Sequence, residues 1–247
     1  MDDLSHSSLH RADGVRLAFD YRRGKGPTLV FLPGYASDMA GTKALALDDW
    51  AGRKGRGMLR LDYSGCGQSG GRFEDGTLDV WRDDALTVIG LIERGPIVLV
   101  GSSMGGWLML LVARALGHQV KGMVGIAAAP DFTDWGYTDA EKGQLQKHGR
   151  IEQPSDYGAP MVTTRGFWDS GTANRQLTAE IRIDCPVRLL HGQQDSDVPH
   201  GISLQLAARL RSADVQVTLV KDGDHRLSRP QDIALLIATA ERLLESL

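Results

Sequence analysis

Short, uninterrupted apolar runs recur along this chain, and each is followed by a longer stretch with helical spacing. Residues 28–32 precede 40–53, residues 58–62 precede 78–93, and residues 97–101 precede 104–116. Runs such as Ile97-Val98-Leu99-Val100 lack polar alternation, so they suit strands covered on both faces, as in a parallel sheet. The rhythm continues with a strand over 120–128, a strand over 187–191 with a helix over 202–211, and a strand over 215–220 with a closing helix over 230–247. Ahead of the series, residues 9–11 and 15–21 flank Ala12-Asp13-Gly14, the signature of a hairpin turn. The pattern predicts one α/β domain, a mostly parallel doubly wound sheet with an antiparallel edge.

One segment breaks the rhythm. Residues 131–183 are polar and turn-rich, without strand alternation, yet they hold Phe132, Trp135, Tyr137, Tyr157, Phe167 and Trp168. Long irregular insertions at the carboxyl edge of a sheet are commonly lids or binding elements. The expected organisation is therefore a core of residues 1–130 and 184–247 with an inserted lid at 131–183. Its aromatics Phe132, Trp135, Phe167 and Trp168 are candidate substrate contacts, with a small core internal to the lid as the alternative.

Composition narrows the function. With 28 basic and 31 acidic residues, a net charge of −3 and no basic stripe, nothing favours a nucleic-acid or anionic-membrane partner. Cys66 and Cys185 are too few for a disulfide framework, and no cysteine or histidine cluster has zinc spacing, so no metal is expected. Cys66 is expected to fill a turn. The N-terminal residues resemble neither a signal nor a transit peptide, which suggests a cytoplasmic protein. The charge-free stretch between Arg94 and Arg114 approaches membrane-span length, but its central Gly-Ser-Ser-Met-Gly-Gly reads as a buried strand turning into a buried helix, so no membrane span is expected. The glycine excess, 30 residues, concentrates in such turns.

That turn carries the chemistry. Gly101-Ser102-Ser103-Met104-Gly105 matches G-x-S-x-G, with an apolar strand before it and an apolar helix after it. A serine at this bend takes strained backbone angles, and only small neighbours let the chain close around it. Ser103 is the candidate nucleophile. Its hydroxyl needs a base to take the proton and a carboxylate to orient that base. Asp195 follows the strand at 187–191 and His225 follows the strand at 215–220, so both fall at the same sheet edge as Ser103. Asp197 competes with Asp195, but its place before Val198-Pro199 suits a helix cap. Of the other histidines, His191 and His200 read as structural. The oxyanion would be held by the backbone N–H groups of Met104 and Tyr35, with Ala36 a competitor for the second. Gly65-Cys66-Gly67-Gln68-Ser69-Gly70 fits a dinucleotide fingerprint, but polar loop follows where a helix is required, so no nucleotide cofactor is expected.

Taken together, the segments FLPGYASDM, LDYSGCGQSGG, GSSMGGWLMLL, IAAAPDFT, HGQQDSDVP and DHRLS resemble the α/β-hydrolase superfamily, in the order Ser, Asp, His. Within it they are most similar to the abhydrolase group of palmitoyl-protein thioesterases and acyl-glucuronide esterases. The resemblance runs from about Thr28 to the C-terminus and is loosest in the lid. It implies Ser103, Asp195 and His225 as triad and a cofactor-free serine hydrolase acting on a carboxylic ester or thioester, its partner a small-molecule or acyl-bearing substrate. The same residues also allow acyl transfer to an acceptor other than water, or a receptor that binds without turnover. The group's mitochondrial location is not expected to carry over, because no transit segment precedes the first strand.

Overall fold

The computed structural model describes residues 4–153 and 160–247; Tyr157 lies outside them. The strands are β1 (Leu4–His10), β2 (Arg16–Arg22), β3 (Lys25–Leu32), β4 (Arg56–Leu61), β5 (Ile97–Ser102), β6 (Val120–Ile126), β7 (Arg150–Gln153), β8 (Met161–Thr164), β9 (Val187–Gly192) and β10 (Val215–Val220). The helices are α1 (Thr42–Lys54), α2 (Leu78–Ile92), α3 (Met104–Leu116), α4 (Phe132–Trp135), α5 (Asp139–His148), α6 (Arg165–Ala173), α7 (Gly201–Arg209) and α8 (Pro230–Glu245).

Eight strands form one sheet in the order β1-β2-β4-β3-β5-β6-β9-β10, and β7 and β8 form a separate antiparallel pair. Only the β1–β2 and β2–β4 pairings in the large sheet are antiparallel. The opening hairpin turns at Gly14, whose φ of 86° suits a residue without a side chain. Order reverses between β3 and β5: β4 lies on one side of β3, and β5 and β6 extend the sheet on the other. A crevice opens at the carboxyl ends of strands at such a switch point, where ligands bind in open α/β sheets.

Alternation along each strand divides the core between the two faces. Val30, Leu32 and Leu99 pack on one face with Trp81 of α2 and Trp107 of α3. Leu29, Phe31, Val98 and Val100 pack on the other with Trp50 of α1 and Leu236 and Leu243 of α8. The apolar stretch centred on the G-x-S-x-G turn is accordingly buried strand and buried helix, every residue of β5 being buried. Among the described residues no helix is long and apolar enough to cross a membrane. Strand β6 ends at Ile126 instead of residue 128, because Ala127 turns the chain with a φ of 45°.

The inserted segment is more regular than its sequence implies. It holds α4, α5 and α6 and the short β7–β8 ladder, in which Ile151 faces Thr163. Each strand has only four residues, too few for alternation to register. Local caps define two of its helices: Thr138 and Glu141 form a capping box on α5, and Thr164 caps α6.

Candidate active site

Ser103 sits between β5 and α3 with φ 55° and ψ −120°, a conformation that costs a non-glycine residue about 1–3 kcal/mol. The turn is held by backbone bonds: Ser103 N–H donates to Ile126 O at 2.9 Å, and Gly106 and Ala129 N–H donate to Ser103 O at 2.9 and 3.0 Å. Glycine is required on both sides by close approach. A Cβ on Gly101 would lie 2.3 Å from Gly105 O, and one on Gly105 would lie 2.0 Å from Leu32 O.

Ser103 Oγ is 3.1 Å from His225 Nε2, and His225 Nδ1 is 2.8 Å from Asp195 Oδ2. The three side chains come from the ends of β5, β9 and β10. Asp195 is fully anchored, its side chain wholly buried. Oδ1 accepts the N–H groups of Asp197 and Val198 at 2.9 and 2.8 Å, and Oδ2 also lies 3.1 Å from His191 Nε2. Burial alone would raise its pKa, but the bonds from His191, His225 and Val198 outweigh burial and hold the carboxyl well below the usual range. The acid is therefore ionised wherever the protein is folded near neutrality.

His191 occupies a place its sequence position did not disclose. Its ring is fully buried, with Nε2 2.9 Å from Val198 O as well as 3.1 Å from Asp195, and Nδ1 2.7 Å from Ser203 Oγ. Both neighbours of Nε2 are pure acceptors, so Nε2 carries a proton; in the neutral ring Nδ1 then accepts from the Ser203 hydroxyl. The sole sequence trace is the four-residue spacing to Asp195. Asp197 does not cap α7 as expected: the helix begins at Gly201 behind His200, and Asp197 instead faces the cavity.

Among the described residues the backbone N–H groups of Met104, Tyr35 and Ala36 have no backbone acceptor. In the loop after β3 the positive φ falls on Ala36, at 54°, and not on Gly34. The role of Gly34 is space: a Cβ there would press on Ser102 O and Ser103 Cβ at 3.3 and 3.4 Å. The Tyr35 ring packs against Phe73, Trp81, Phe132 and Phe167, and its hydroxyl donates to Val162 O in β8 at 2.6 Å.

Ser103 and His225 open into a cavity of about 990 Å³. Phe132, Trp135, Tyr137, Met161 and Val162 of the inserted segment line one part of it, with Phe73 from the loop after β4. Two expected contacts are not brought to it. Phe167 is buried against Trp81 and Phe132, and Trp168 packs over the small cluster of Tyr137, Leu145 and Ile151 while its Nε1 donates to Thr133 O at 2.9 Å. Both lie on α6, where Phe167 is buried and Trp168 partly so. Ser37, Thr42, Lys43, Arg226 and Ser228 add polar groups to its lining. Cys66 lies in the turn after β4, and burial pushes its thiol up to about 12.

A serine at a strained strand-to-helix bend, at the switch point of a mostly parallel sheet, is the arrangement of one large class of enzymes. Residues 29–235 match the profile described as "Alpha/beta hydrolase family", and the chain belongs to that family. Among curated proteins it is 40% identical, over 98% of its length and 81% of theirs, to the human protein named palmitoyl-protein thioesterase ABHD10, mitochondrial. Among solved structures it resembles mouse alpha/beta hydrolase domain-containing protein 10, with TM-score 0.92, 38% identity and 98% and 99% of the two chains covered. A putative hydrolase from Agrobacterium vitis S4 matches with TM-score 0.91, 40% identity and 98% of both chains. These relatives overturn the expected cytoplasmic location: the human, orangutan and bovine proteins are named as mitochondrial, which points away from the cytoplasm. That expectation rested on the N-terminal residues alone.

Proposed function

We propose that this hydrolase cleaves a carboxylic ester or thioester through an acyl-enzyme, with Ser103 as nucleophile, His225 as general base and then acid, and Asp195 as the group that orients the imidazole. The observation that carries the reading is the continuous contact from Ser103 Oγ through the His225 ring to Asp195. With Asp195 accepting at Nδ1, His225 holds its proton there and presents the Nε2 lone pair to the serine hydroxyl. Attack on the carbonyl carbon moves the Ser103 hydroxyl proton to Nε2, from which it passes to the departing oxygen or sulfur, while the Nδ1 proton stays on the ring. Water then attacks the acyl-serine with the same base, and the serine is regenerated. The oxyanion formed in each half is assigned to the N–H groups of Tyr35 and Met104, the latter at the first turn of α3.

A thioester is the favoured linkage, since the curated relatives that match over 98% of this chain are named palmitoyl-protein thioesterases. The apolar part of the cavity, lined by Phe132, Trp135, Met161 and Val162, suits an acyl chain, and residues 131–183 are assigned as the lid that covers it. Ser103→Ala is expected to abolish turnover and covalent labelling by a fluorophosphonate while leaving the protein folded. Undiminished hydrolysis by that variant would sink the assignment. Rates against 4-nitrophenyl esters of increasing chain length test the acyl site; a sharp preference for acetyl over octanoyl would contradict it.

A further inference from the structure

The oxyanion donor assigned to Tyr35 sits in a loop that is held from outside. Ser37 N–H donates to Gly34 O at 3.2 Å, closing a tight turn with Tyr35 and Ala36 at its centre, and Ala36 takes the left-handed φ of 54°. An alanine keeps such a conformation only where its surroundings over-determine it. Here they do so through β4 and the residues just past it. Arg60 Nη1 donates to Met39 O at 2.7 Å, and Asp62 Oδ1 accepts the Met39 N–H at 2.7 Å. Both polar backbone groups of one loop residue are thus gripped by charged side chains. At the loop's other end the Tyr63 hydroxyl donates to Pro33 O at 3.3 Å. Met39, Arg60, Asp62 and Tyr63 are all buried.

The grip is itself anchored. Arg60 Nη2 pairs with Asp20 and Asp48 at 2.9 and 3.0 Å. Asp62 Oδ2 accepts the Gln68 N–H at 2.8 Å, so the carboxylate has one oxygen bonded to the loop after β3 and the other to the loop after β4. Gly67, with a φ of 50°, leaves it room: a Cβ there would lie 2.2 Å from Oδ2. The glycine run at 65–70 that fits a dinucleotide fingerprint in sequence is, in the fold, a cradle for this side chain. A buried carboxylate is costly unless its oxygens are bonded, which ties the charge to the two loops it joins. Asp62 does not line the cavity, so any effect it has on the reaction passes through Met39. We infer that Asp62, with Arg60, is a positioning residue for oxyanion stabilisation: the pair holds Met39 so that the turn at Tyr35 and Ala36 keeps the strained form that aims the Tyr35 N–H at the developing charge. This rests on the ester or thioester hydrolase reading above and extends its oxyanion assignment to the residues that set the donor's direction.

Hydrolysis of 4-nitrophenyl octanoate and inhibition by an alkyl trifluoromethyl ketone of the same chain length test it, because the ketone's hemiketal oxyanion needs the same donors. Loss of one such donor outright costs about 10²–10³-fold in kcat. In Asp62→Ala, where the donor is misdirected and still present, kcat is expected to fall about tenfold or more with KM changed less than about threefold. The ketone's Ki is expected to rise by the factor that kcat/KM falls. Asp84→Ala is the comparison: Asp84 is equally buried and accepts the Ser64 N–H at 2.8 Å, but it has no bond to the loop after β3. It is expected to lose stability while keeping kcat within about threefold. If Asp62→Ala does not fold, Arg60→Lys decides with the same measurements, since one ammonium cannot span Met39 O and both carboxylates as the guanidinium fork does. A folded Asp62→Ala, or in its place Arg60→Lys, with kcat and Ki within about threefold of the wild type overturns the positioning role, as does an equal loss in Asp84→Ala; the hydrolase reading stands in either case. A wild type that neither cleaves the ester nor takes a fluorophosphonate on Ser103 overturns both.

Discussion

Replacing His191 separates the two tasks its ring performs on Asp195. In His191→Leu, Asp195 Oδ2 loses the donor now at 3.1 Å and keeps His225, while Ser203 loses the acceptor at 2.7 Å. A hydrogen bond to a charged group is worth about 1.5–3 kcal/mol, so the folded protein should lose at least that much stability in urea unfolding. The catalytic consequence has a definite sign. A carboxylate with fewer donors carries more charge toward His225 and favours its imidazolium, which cannot accept the serine proton. The acid limb of kcat/KM for a 4-nitrophenyl ester should therefore move to higher pH, by about one unit for a bond of about 1.4 kcal/mol. His191→Gln, which can place an amide N–H near the position of Nε2, should return most of the shift. The reasoning fails if His191→Leu remains folded and its acid limb coincides with that of the wild type, because a purely structural loss would lower stability without moving a titration.

Gly105→Ala should leave little folded enzyme, losing more than about 4 kcal/mol, since its Cβ would sit 2.0 Å from Leu32 O; a melting curve within a few degrees of the wild type would contradict this. Gly90→Ala, in α2 with nothing near its Cβ, should instead stabilise by about 0.5–1 kcal/mol in the same assay. Lys43 binds its proton less readily in the fold than in the unfolded chain, so its cost is fully present below pH about 8 and is relieved as pH rises through about 8 toward the ordinary value of 10.5. Lys43→Met should accordingly be more stable than the wild type at neutral pH, by about 3 kcal/mol at most, and the difference in urea unfolding should shrink above pH 10; a difference that does not depend on pH would count against it. Tyr35→Phe removes the bond to Val162 O and should cost about 1 kcal/mol together with a several-fold loss in kcat; an unchanged kcat would detach the ring's anchoring from the assigned oxyanion role.

Most of the core was legible because its signals are local. A run such as Ile97-Val98-Leu99-Val100 is apolar whatever the rest of the chain does, and the turn at Ser103 declares itself through the small residues that its own backbone demands. The inserted segment was less legible because its order comes from distant partners. Helix α6 is tied down by Ser170 and Asn174, both bonded to the Asp79 carboxylate about ninety residues earlier, and this contact helps set which way its aromatics face. Phe132 and Phe167 are the same residue type in the same segment, and only the folded arrangement separates the one lining the cavity from the one buried behind it. His191 hid for a related reason: a histidine before a glycine at a strand end has no periodicity to betray that its ring reaches Asp195 and Ser203. Lys43 and Arg226 lie 183 residues apart and meet only because α1 and the loop after β10 share one corner.

The bond from the Tyr35 hydroxyl to Val162 O joins the loop after β3 to the hairpin of the inserted segment across 127 positions of sequence. Such segments are commonly treated as exchangeable parts, with the scaffold below providing rate and the part above choosing the substrate. Here the exchange would not be clean. A transplanted segment lacking a carbonyl at that point would leave the tyrosine's hydroxyl without its acceptor and free the loop that carries its amide, so rate and selectivity would drift together. Directed evolution of this enzyme toward new acyl groups should therefore keep the 161–164 strand intact and vary the cavity wall around Trp135 and Tyr137 instead.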